Sequence, residues 1–193
     1  MLINVFQQFN FLDILILIII FRISYIAVKM GLVIEFFKLL GILFAIYTAS
    51  HYYTYLSDIV QHWYISKIMP LEFMDFIIFT ILAGAVYLVF VFLRSTFYRF
   101  MKLEAAPKFN KYGGLILGLA RSYFTVGLLM YILLISSVSY LSSSVKNSYL
   151  GSRFSSVSAQ TYKWFWDSIF SKISPQEKPN SVVAEVRDNS IKK

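Results

Sequence analysis

The chain has no cysteine among its 193 residues and only 15% charged residues. Without thiols there is no disulfide framework, no thiolate nucleophile and no sulfur-ligated metal. Soluble domains carry about 25% charge, and a chain of this length folding in water needs a polar shell that this one lacks. No GxSxG, HExxH, P-loop or dinucleotide-binding glycine pattern occurs, so no recognisable catalytic or nucleotide site is present. Acidic residues are the scarcer sign, 10 against 18 Lys and Arg, for a net charge of +8. The basic residues sit in loops and a tail beside apolar runs, which argues for anionic lipid and against nucleic acid as the partner.

What is plentiful is hydrocarbon: 58% of the residues are hydrophobic and the mean hydropathy is +0.65. Four runs are long enough to cross a bilayer, which takes at least about 17 residues. Residues 11–28 form the first, interrupted by Asp13 and Arg22. Residues 32–53 form the second, with Glu35 and Lys38 near its start. The third covers 71–93, where Pro70, Glu72 and Asp75 suit a helix N-terminus. The fourth covers 114 to about 141, with Arg121 as its only charge. The expected fold is all-α, an integral membrane helical bundle of about four transmembrane helices. No Lys or Arg precedes the first run and no cleavage pattern follows it, so it is expected to stay as an anchor.

The connection holding Arg94, Arg99, Lys102, Lys108 and Lys111 against Glu104 is expected on the cytoplasmic side. The turn at Lys29 then shares that side, while the 51–70 connection and both termini fall on the other. The serine-rich stretch that follows reads as a flexible linker. After it Tyr162, Phe165, Trp166, Ile169, Phe170 and Ile173 recur at helical spacing opposite Lys163, Asp167 and Lys172, which predicts a short amphipathic interfacial helix. The expected organisation is 1–141 transmembrane, 142–174 linker plus amphipathic helix, and 175–193 a polar disordered tail.

Gly114, Gly118 and Ser122 recur every fourth residue, the small-residue spacing that lets membrane helices approach closely. Arg121 projects from the same side, either towards a neighbouring helix or up to the headgroups. Glu35 lies a comparable distance from the same membrane face, so it can pair with Arg121 or locally with Lys38. An unpaired charge at mid-membrane costs about 2.5–3.5 kcal/mol, so some partner is expected. Asp13 reads mainly as a carboxylate favoured by its helix N-terminus, with an ion or proton path as the alternative. Arg22, in the middle of its run, has no account in the sequence. His51, Asp58 and His62 form a conceivable metal set, but aromatic neighbours and the missing second carboxylate favour ordinary interfacial residues. No metal or cofactor is expected.

Three stretches carry a family resemblance. Asp13 opens the first helix ahead of the turn KMGLVIE, with Lys29, Gly31 and Glu35 in a basic-glycine-x-x-x-glutamate pattern. ASHYYTYLS spans 49–57, and GLILGLAR spans 114–121. In these the chain resembles the bacterial colicin V production (CvpA) family, from Asp13 to the aromatic segment ending at Asp167. Met30, Ser122 and Arg22 depart from the family pattern. The resemblance implies a multi-spanning inner-membrane protein of a Gram-negative bacterium, needed for colicin V production or export and connected with envelope function. Two roles compete: a non-enzymatic protein docking other inner-membrane or export proteins, or a small oligomeric conductor of ions or solutes with Asp13, Glu35 and Arg121 along its path. Homo-oligomerisation is compatible with either, and a lipid-modifying enzyme using His51, Asp58 and His62 is a weaker third.

Overall fold

The structure is a computed structural model that describes residues 10–62, 70–100, 107–174 and 176–185. Lys67, Lys102, Glu104 and the tail beyond 185 lie outside the described residues, as does the side chain of Arg99. Four helices are long and apolar enough to span a membrane: α1 (Phe11–Met30), α2 (Leu32–Val60), α3 (Leu71–Phe100) and α4 (Pro107–Ile135). No strand occurs among the described residues.

Each boundary has a local cause. α1 opens on a capping box: the Asn10 side chain accepts from the first turn while Asp13 Oδ2 accepts from Asn10 N at 2.7 Å. It ends at Gly31, whose φ of 85° is the left-handed geometry that a side chain resists. α2 starts one residue later, and Asn110 Oδ1 accepts its otherwise unpaired Leu32 N–H at 2.7 Å. The Pro70 carbonyl accepts from Phe73 and Met74 to start α3.

α1 packs on α4, α4 on α2, and α2 on α3, while α1 and α2 barely touch despite the single-residue turn between them. Ala27 of α1 meets Gly114 and Gly118 near the start of α4, whereas Leu12 and Ile16 share a core with Val126 and Met130 near its end. α1 and α4 are therefore antiparallel. α2 runs parallel to α4, bringing Ile46, Ala49 and Tyr53 together with Phe79 of α3 and Tyr131 of α4 in the main core.

The structure corrects several boundaries. α2 runs on to Val60 rather than stopping near Tyr53, so His51 and Asp58 belong to a helix and not to a connection. α4 stops at Ile135, before Ser136 and Ser137, rather than at 141. The stretch read as a flexible linker, 136–158, is helical instead and forms α5 (Ser139–Asn147), α6 (Tyr149–Phe154) and the start of α7 (Val157–Phe165); the amphipathic helix expected over 162–173 is the rest of α7, a π turn at Trp166–Phe170 and α8 (Ser171–Ile173). This segment folds back alongside α4: Phe154 lies 5.4 Å from the Tyr123 ring, and Val157 packs where Gly127 has no side chain. Those contacts lie roughly 12 and 18 Å along α4 from its Ile135 end, counting Gly127 and Tyr123 respectively. The amphipathic face divides in two, with Tyr162 and Trp166 buried against α2 while Ile169 and Ile173 stay exposed. The first part of the tail is also ordered, with a helical turn at 181–185 and Val183 fully buried.

Candidate functional site

The polar groups within the bundle collect at its two ends. At the Gly31 end, Glu35 is fully buried one turn into α2. Its Oε1 accepts from Lys38 Nζ at 2.7 Å, and its Oε2 lies 2.8 Å from Arg121 Nε of α4. The second contact is an ion pair and not an aligned hydrogen bond, because the Arg121 N–H does not point at the oxygen. Both partners open in the sequence are thus used at once. One carboxylate between two cations leaves the cluster with one positive charge in excess, in a region where charge is expensive.

The small residues of α4 make this cluster possible. A Cβ on Gly118 would sit 2.1 Å from the Ala27 Cβ, and one on Gly114 would meet the Ala27 carbonyl oxygen at 2.8 Å and the Gly31 backbone just beyond. Their absence draws the start of α4 against the end of α1. Ser122 is buried beside them, and its hydroxyl donates to the Leu119 carbonyl at 2.7 Å.

At the opposite end Asp13 is also fully buried. Besides capping α1, it accepts through Oδ1 from the Ser148 hydroxyl at 2.7 Å and from Leu150 N at 2.6 Å. Ser148 in turn accepts from Gly151 N at 2.9 Å. Asp13 therefore joins the start of α1 to the α5–α6 junction, in keeping with its helix-terminal reading and with a partner the sequence did not reveal. Separately, Ser57 of α2 donates to Asp75 of α3.

A third polar group fastens the C-terminal segment to α2. The Tyr162 hydroxyl accepts from Asn180 N at 2.9 Å and lies 3.0 Å from His51 Nδ1. Burial pushes the Tyr162 phenol upwards, so it stays protonated, while the bond from Asn180 opposes that shift. Asn180 Nδ2 donates to the Ser50 carbonyl and Thr54 Oγ1, His51 Nε2 lies 3.5 Å from Glu177 Oε2, and the His51 ring stacks on Trp166. His51 is thus committed to this contact, whereas Asp58 and His62 are exposed. Among the described residues no three of His, Asp and Glu gather closely enough to hold a metal ion. Nothing in the sequence pointed to Asn110, Ser148 or Asn180, whose partners lie far along the chain.

Four spanning helices, with a buried ion pair between two of them and buried carboxylate clamps, define a multi-pass helical membrane protein. The family profile described as Colicin V production protein matches residues 12–159. The chain belongs to that family, which is not known as an enzyme family. No curated protein and no solved structure matches it.

Proposed function

We propose that this protein is a non-catalytic component of the bacterial inner membrane that docks other membrane or export proteins, supporting colicin V production or export and envelope function. The connections at Gly31 and at 101–106 face the cytoplasm and both termini face the periplasm, as the loop charges favour.

The observation that carries this reading is the disposition of the buried charges. Asp13 stands at the start of α1 and the Glu35–Arg121 pair near the level of Ala27 towards its other end, each engaged by its own neighbours. That arrangement supports a scaffold, in which intramembrane charge holds helices together, over a conduit lined by the same three residues. The outer face of α3 adds a surface for partners, with Ile81, Leu88 and Phe92 exposed.

Deletion of the gene is expected to lower toxin released into the medium, with rescue by the full-length protein. A photoreactive residue at Leu88 is expected to capture membrane proteins reproducibly. Ion flux through purified protein in proteoliposomes would overturn the scaffold reading, and so would a deletion strain with unchanged toxin release.

A further inference from the structure

We propose that the Arg22 side of α1 is a docking face for a transmembrane helix of a different protein carrying an Asp or Glu at the depth of Arg22; this rests on the docking reading above. Arg22 is exposed, on the side of α1 turned away from α4. It shares a stripe with Ile18, Phe21 and Tyr25, all exposed at helical spacing, Phe21 by 72%. Lipid satisfies the three apolar members of that stripe. It does not satisfy the guanidinium, which has no ion-pair partner among the described residues.

Snorkelling does not resolve the charge. Arg22 sits about 12 Å from the Met30 end of α1 and about 16 Å from the Phe11 end. Helical side chains lean towards the N-terminus, so Arg22 reaches away from its nearer interface. Tyr25 gives it no cation–π relief in the structure, where the cation over that ring is Lys29 at 4.4 Å.

A second copy of the chain does not supply the missing charge. Of the carboxylates on the four spans, Glu35 holds two cations and Asp13 and Asp75 are engaged by hydroxyls or backbone. Asp58 and Glu72 belong to the helix ends beyond the level of Asp13. What complements the stripe is an apolar helix from another protein with one carboxylate set to meet Arg22, the arrangement by which intramembrane charges select partners.

The test uses the full-length protein in its native membrane, with a photoreactive amino acid replacing Ile18 or Phe21. The expected adduct is a different membrane protein with an Asp or Glu inside a span. Its yield should fall about tenfold in Arg22→Leu, as a loss of one charge-pair contact implies, and persist in Arg22→Lys. Exchanging the signs, Arg22→Glu with the partner carboxylate changed to Lys, should restore it. Adducts to a second copy, adducts to lipid alone, or an unchanged yield in Arg22→Leu each overturn the proposal. If Leu88 captures a partner and α1 does not, this inference falls while the docking reading stands; if neither position captures one, both fall.

Discussion

Glu35 serves two cations with one carboxylate, which makes it the costliest member of its cluster to remove. Glu35→Gln leaves Lys38 and Arg121 uncompensated and should destabilise the protein by about 3–5 kcal/mol, the usual cost of breaking a buried pair from one side. Arg121→Leu leaves the Glu35–Lys38 pair intact and should cost clearly less. Unfolding in mixed micelles measures both, and equal losses would show that Arg121 is the true anchor. Asp13→Ala removes a helix cap and two further acceptor contacts, for a loss of about 2–4 kcal/mol. Its mark should be faster amide exchange at Leu150 and Gly151. The sequence disclosed Asp13, Glu35 and Arg121 because an ionised group in an apolar run stands out by composition alone. It could not disclose Ser148 or Asn110, since a polar residue in a polar segment gives no sign of a partner more than seventy positions away.

Among the elements, the contact of α1 with α4 depends on bare backbone at two places. Gly118→Val should drive Ala27 outwards and cost about 1–3 kcal/mol, as overpacking does, and Gly114→Ala should act similarly because its nearest neighbour is a carbonyl that cannot turn aside. Gly84 of α3 faces open space, so Gly84→Ala should leave the packing intact and raise stability by about 0.5–1 kcal/mol. Thermal unfolding in detergent distinguishes the three. The C-terminal segment adds a pH dependence. Burial holds the Tyr162 phenol above its ordinary value of 10.0, so the packing of the C-terminal segment that buries it is fully supported below that pH and weakens as the pH rises past it. Protease cleavage within 176–185 should therefore accelerate in strong alkali, and Tyr162→Phe should reduce the dependence. The four spans were legible because their hydrophobicity is continuous. α5 and α6 were not, because what this stretch buries is Ser144, Ser148 and Ser155 with Val145 and Gly151. Small hydroxyl residues pack closely in a membrane bundle, yet on a hydropathy scale they look like a linker.

For the whole molecule, the charge asymmetry makes the orientation testable. Reporter fusions within 101–106 should be active on the cytoplasmic side and fusions within 63–69 on the other; the reverse pattern would invert every side assigned above.

The near absence of contact between α1 and α2 bears on how the chain comes together. Helices joined by one residue would ordinarily leave the insertion machinery as a finished hairpin, but here the first has little to grip in the second. Its proper neighbour, α4, is made some eighty residues later, and Ser148 and Leu150 later still. At the pace of synthesis, about 5–20 residues per second, the first helix drifts in lipid for seconds before the rest arrives. The Asp13 clasp therefore shuts only on a nascent chain whose every span has already been made.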